Sequence, residues 1–156
     1  MVEFLERVML IPRPRAEVFP FFADARNLER ITPPYLRFVV VTQGPIEMRA
    51  GALIDYRMGL YGAGFRWRTQ IEEWRPPEFF ADVQLKGPYR RWHHRHSFEE
   101  VSGGTLMRDV VQYEVGWGWA GEVARRLFVR RSVEQIFEYR NRVIGEMFAG
   151  GEDGQR

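Results

Sequence analysis

Residues 87–113, GPYRRWHHRHSFEEVSGGTLMRDVVQY, hold all three histidines of the 156-residue chain, and their reading decides the fold. Strand side chains alternate with a period of two. Trp92, His94, His96 and Phe98 therefore share one face, while His93, Arg95 and Ser97 point the other way. Ser102-Gly103-Gly104 supplies a turn, after which the alternation returns. Pairing Phe98 with Thr105 sets His96 against Met107, His94 against Asp109 and Trp92 against Val111. That face mixes large aromatics with imidazoles and a carboxylate, more than a plain core needs. A catalytic site, a metal site and the lining of a ligand pocket would each use such a mixture.

Upstream of this hairpin the chain reads as a meander. Ile54, Tyr56, Met58 and Leu60 alternate with polar residues, as do Phe65, Trp67, Thr69 and Ile71 across Tyr61-Gly62-Ala63-Gly64. Pairing Leu60 with Phe65 puts both apolar sets on one face, the agreement that a true register gives. Residues 79–86 form the next strand; pairing Ile71 with Phe80 brings Thr69 opposite Asp82 and Trp67 opposite Gln84, and leaves Asp82 near His94. Ahead of the meander, residues 3–11 read as a strand closed by Pro12 and Pro14, and residues 15–24 as a short helix. A second short turn begins at Asn27, and residues 36–41 are β-branched and aromatic, a strand signal. Beyond the hairpin, residues 116–121 read as a flexible aromatic crossing. Residues 122–148 then carry Leu127, Val133, Ile136, Phe137, Val143, Ile144 and Met147 at helical spacing. The fold class is therefore α+β: a curved seven-stranded antiparallel sheet wrapped around a long C-terminal helix, with two short helices after strand 1. No linker or repeat interrupts residues 1–150, so one domain is expected, with residues 151–156 as a disordered tail.

Composition narrows the function classes. Twelve Phe, six Tyr and five Trp suit a thick core or a wide apolar pocket, and the absence of Cys excludes disulfides, thiol nucleophiles and thiolate metal sites. The net charge is only +2, and the arginines lie among acids rather than in one basic block. Nucleic acid is therefore not an expected partner. No apolar run approaches a membrane span, and the N-terminal residues lack the apolar core of a secretory signal; stable membrane insertion is not expected, and a cytoplasmic location is.

The segments IPRPRAEVFPFFADARNLERITPPYLRF (11–38), GPYRRWHHRHSFEEVSGGTLMRDVVQYEV (87–115) and IFEYRNRV (136–143) together resemble the START-like, helix-grip superfamily, in particular a bacterial ligand-binding subgroup. That superfamily includes birch-pollen-allergen-like proteins, polyketide cyclases and coenzyme Q-binding proteins. WGWAG (117–121) departs from the pattern, since relatives often carry a proline before the helix. The resemblance implies binding of a hydrophobic or amphipathic small molecule, lipid-, quinone- or polyketide-like, between the sheet and the terminal helix. A carrier, sensor or ligand chaperone is the leading role. A cyclase or isomerase using a His–Asp pair is the alternative, and so is a regulatory partner-binding protein, because some relatives carry a cell-division-inhibitor label. The resemblance implies no cofactor and no fixed catalytic residues.

Read together, the strands and helix give the expected ligand-binding set: Tyr56, Met58, Trp67, Thr69, Asp82, Gln84, Trp92, His94, His96, Met107, Asp109, Val111, Tyr113, Phe137 and Arg140. No residue is assigned a catalytic role; His94 and Asp109 are the candidates, because a carboxylate that fixes one ring nitrogen leaves the other to face a substrate. Any of the aromatics can equally be core. His94-x-His96 beside Asp82 or Asp109 has the composition of a His₂-carboxylate metal site. The second half of a cupin-type motif is missing, however, and no metal is expected. Snorkelling to solvent and a salt bridge to an inner acid such as Asp109 are the two readings of Arg140.

Overall fold

The computed structural model describes residues 1–60, 62–116 and 122–150. The expected crossing at 117–121 and the tail at 151–156 lie outside the described residues. Seven strands form one antiparallel sheet: β1 (Glu3–Ile11), β2 (Val39–Val40), β3 (Leu53–Leu60), β4 (Ala63–Arg75), β5 (Phe79–Lys86), β6 (Tyr89–Val101) and β7 (Gly104–Val115). Their order is β1-β7-β6-β5-β4-β3-β2. Helix α1 (Arg15–Ala23) and two 3₁₀ turns (Ala25–Ile31 and Pro34–Leu36) cross from β1 to β2, and α2 (Glu122–Ala149) closes the chain.

Each hairpin keeps the expected inner face, but the registers differ from expectation by two residues. Phe98 pairs with Met107, not Thr105, so His96 lies opposite Asp109, His94 opposite Val111 and Trp92 opposite Tyr113. The cause is the position of the turn: Val101 and Gly104 pair, so Ser102 and Gly103 reverse the chain one residue later than the expected register requires. Gly103 and Gly104 adopt φ of +94° and +143°, a region open to glycine and strained for other residues. Likewise Leu60 pairs with Ala63 and Met58 with Phe65. A shift of two preserves the side-chain faces, whereas a shift of one would have inverted them.

Between β4 and β5 the pairing is irregular. Thr69 lies opposite Gln84 and Ile71 opposite Asp82, and a bulge then brings Trp74 opposite Phe80. Irregularities of this kind bend and twist a sheet. The strand expected over residues 36–41 is reduced to Val39–Val40. Leu36 instead ends a 3₁₀ turn, and Arg37 takes a left-handed conformation (φ 46°) that breaks the extended run.

Helix α2 buries Val133, Phe137, Arg140 and Ile144, a spacing of four, three and four that marks one helical stripe. Val133 and Phe137 pack with Leu5, Val111 and Tyr113, and Ile144 with Ile11, Phe98 and Met107. The helix thus rests on β1 and β7. Leu127, expected on the apolar side, is 63 % exposed. It lies in the first turns, at the sheet end where Arg126 pairs with Glu3. No helix among the described residues is long and apolar enough to cross a membrane.

Candidate functional site

Because α2 rests on β1 and β7, only its edge covers the inner face of β3–β5 and part of β6. Phe21 and Phe22 of α1, Ala25, Asn27, Leu28 and Ile31 of the first 3₁₀ turn, and Ile136, Phe137 and Arg140 of α2 enclose a cavity of about 160 Å³ above it. Its floor carries Ile54, Tyr56, Met58, Trp67, Thr69, Ile71, Phe80, Tyr89 and Trp92, with Asp82, His94 and His96 at one end. Asp24, Thr32, Leu36 and Met48 complete the wall. Aromatic rings brace one another here: Trp67 meets Trp92 edge-on at 5.2 Å between centroids and Tyr89 at 5.5 Å. The Trp67 indole N–H is satisfied by Thr69 Oγ1 at 3.0 Å.

Ten of the fifteen expected residues line this cavity: Tyr56, Met58, Trp67, Thr69, Asp82, Trp92, His94, His96, Phe137 and Arg140. Five do not. Gln84 spans the β5–β6 turn, donating to the Tyr89 carbonyl at 2.7 Å and accepting from its N–H at 3.3 Å. Met107, Val111 and Tyr113 are core, because β7 lies under α2. Asp109 is buried behind the histidines. The wall residues that alternation could not supply come from α1 and the 3₁₀ turns. PFFADARNLERI carries no period that marks a lid, though Phe22 does fall on the apolar side of α1. Ile54, Ile71 and Phe80 were already on the right face, and only the position of α2 separates wall from core.

The polar end is organised by Asp109. Its Oδ1 lies 2.9 Å from His94 Nε2 and 3.0 Å from His96 Nδ1. Across the cleft Asp82 Oδ2 lies 3.0 Å from His96 Nε2 and 3.9 Å from His94 Nδ1. Arg140 reaches in from α2, with Nη2 3.6 Å from Asp109 Oδ1 and 3.2 Å from His96 Nδ1. His96 Nδ1 can donate to Asp109 or accept from Arg140, but not both. With carboxylates at both ring nitrogens, the doubly protonated ring is the state these neighbours favour. The Arg140 guanidinium is set between the rings of Phe22 and Phe137, 5.7 and 5.6 Å from their centroids. The inner-acid reading of Arg140 therefore holds, and snorkelling does not.

Burial and electrostatics divide the two histidines. Burial, aided by the charge of His96, pushes His94 down to about 4, against the pull of Asp109 and Asp82. Burial opposes charge on His96 as well, but Asp109 and Asp82 together outweigh it and raise its pKa. Burial works against the Asp109 carboxylate, yet Arg140 and the two histidines hold it well below the usual range. The phenols of Tyr56 and Tyr89 are pushed up, chiefly by burial, and stay protonated donors. Asp82, His94 and His96 each offer one ligand atom, and those atoms lie within 4.8 Å of one another.

A family model described as polyketide cyclase / dehydrase and lipid transport matches residues 11–138. No curated protein matches the chain. Among solved structures, the chain is similar to the Zhui aromatase/cyclase from Streptomyces sp. R1128, at 16 % identity and TM-score 0.75, over 94 % of this chain and 93 % of that one. It is also similar to TTHA0849 from Thermus thermophilus, at 21 % identity and TM-score 0.68, over 98 % and 100 %. Ara h 8.0201 matches at 15 % identity and TM-score 0.64, over 96 % and 100 %. Identities this low show the helix-grip fold and nothing finer.

Proposed function

The chain belongs to the polyketide cyclase / dehydrase and lipid transport family, and from that premise we propose that it binds a ring-bearing hydrophobic small molecule between the sheet and α2, as carrier, sensor or chaperone. The observation that carries this reading is the lining of the cavity: apolar over most of its wall and rich in aromatic rings, with Asp82, His94, His96 and Arg140 gathered together. Small-molecule sites have this composition. A volume near 160 Å³ suits one ring, since an apolar cavity of about 150 Å³ takes up benzene. At the polar end, the buried Nε of Arg140 has no acceptor among the described residues. A carbonyl or hydroxyl oxygen on the ligand would supply one, and unsatisfied buried donors call for such a partner.

The test is native mass spectrometry of the protein after exposure to lipid and quinone extracts, followed by titration of each captured compound against Trp67 and Trp92 fluorescence. Saturable quenching at one equivalent is expected. Absence of any captured compound, with no quenching by single-ring phenols or quinones, sinks the reading.

A catalytic reading is favoured by one observation, the 2.9 Å His94–Asp109 pair beside the cavity. Asp109 holds Nε2–H and leaves Nδ1 as a base, the arrangement that proton transfer in a cyclase or isomerase needs. The variant His94→Phe separates the two: an enzyme keeps its ligand and loses turnover, whereas retained turnover removes catalysis by His94.

A further inference from the structure

We propose that Asp82, His94 and His96 form a binding site for a divalent cation of the zinc, cobalt or ferrous type at the polar end of the cavity. The two histidines present different nitrogens to Asp82: Nδ1 of His94 at 3.9 Å and Nε2 of His96 at 3.0 Å. Their opposite nitrogens both meet Asp109 Oδ1, at 2.9 and 3.0 Å. One buried aspartate thus fixes both rings from behind, and their free sides converge on a second carboxylate. Metal-ligating histidines use this arrangement, with the far nitrogen donating to a carboxylate that sets tautomer and orientation.

Ligand bonds of 2.0–2.2 Å at tetrahedral angles place neighbouring donor atoms roughly 3.3–3.6 Å apart. The 3.0 Å Asp82–His96 separation opens slightly and the 3.9 Å Asp82–His94 separation closes by a similar amount, in a set of ligand atoms that lie within 4.8 Å of one another. Two imidazoles and one carboxylate suit borderline transition ions rather than Mg²⁺ or Ca²⁺, which prefer oxygen alone. Three protein ligands leave coordination positions open, and all three side chains line the cavity. The cation takes the place of the proton between His96 Nε2 and Asp82. A ligand with a carbonyl, phenolic or enolic oxygen would complete its coordination; this last step rests on the ligand-binding reading above, whereas the cation site does not.

The test needs no organic ligand. Chelator-treated protein is titrated with Co²⁺ and Zn²⁺ by calorimetry and, for Co²⁺, by visible absorption, with Mg²⁺ as the contrast. One equivalent of Co²⁺ or Zn²⁺ is expected to bind, with d–d bands, and Mg²⁺ is not. Asp82→Ala and His94→Gln should weaken binding by about 100-fold or more, and Asp109→Asn by about 10–100-fold through misaligned rings. Asp82 is the safest position, because its side chain is less buried than either histidine and a thermal melt reports whether the variant folds. Absence of saturable uptake by the unsubstituted protein overturns the site. Uptake unchanged in folded Asp82→Ala overturns it equally.

Discussion

Asp109 accepts from two imidazoles while facing a guanidinium, and this arrangement makes stability depend on pH in two opposed ways. His94 is neutral in the folded protein down to about pH 4, whereas an unfolded imidazole takes its proton near 6.5. Between those values the unfolded state binds more protons, so stability falls as pH drops, by as much as roughly 3 kcal/mol. His96 runs the other way: with its pKa raised, its contribution is complete below about 6.5 and is lost as pH climbs through the folded value. Asp109 adds a loss only in stronger acid. Chelator-treated protein should therefore show its highest denaturation midpoint near pH 6.5, with an acid limb that flattens in His94→Gln. A midpoint still rising steadily from pH 8 to pH 4.5 contradicts the assignment.

At the level of elements, the β6–β7 hairpin is locked to β1 by its own turn. A Cβ built on Gly104 would stand 2.0 Å from the Ile11 carbonyl oxygen and 2.9 Å from the Arg13 nitrogen. Thr105 Oγ1 donates to the Arg13 carbonyl at 2.8 Å in the same corner. Gly104→Ala is expected to cost about 3 kcal/mol, from backbone strain and from prising β1 off β7. Gly103→Ala, with open space around it, should cost about 1 kcal/mol. Equal losses in a urea titration would show that the close approach is not what matters. The hairpin's faces were legible in the sequence because alternation survives a register error of two. The partner of each histidine was not. His94 opposite Asp109 and His96 opposite Asp109 differ only by a one-residue shift in where the chain turns between Val101 and Gly104, and alternation cannot register that.

For the molecule as a whole, the division between sheet, lid and helix decides what the cavity accepts. The sequence showed which residues face inward but not which of them α2 would cover, so Met107, Val111 and Tyr113 read as wall until the helix was placed. The lids over the remaining space are α1, the 25–31 turn and α2, which lie outside the sheet's hydrogen-bond ladder. A single-ring ligand at a hundred times its Kd should add about 2.7 kcal/mol of stability and raise amide protection throughout the lids. A three-ring ligand is larger than a cavity of about 160 Å³, and its entry is expected to displace them. Hydrogen exchange should then quicken at residues 25–31 while β6 and β7 stay protected. Equal protection by both ligands would mean the space is already larger than described.

Arg140 also acts as a rotational key for α2. Turning the helix by one residue, about 100°, would carry the guanidinium away from Asp109, His96 and the Phe22 ring. Tyr139 or Asn141 would take its place against a buried carboxylate. Apolar packing alone tolerates such slippage, since Val133, Ile136, Phe137, Val143 and Ile144 form a broad oily surface. A buried charge does not, so one arginine sets the azimuth at which the helix closes over the sheet.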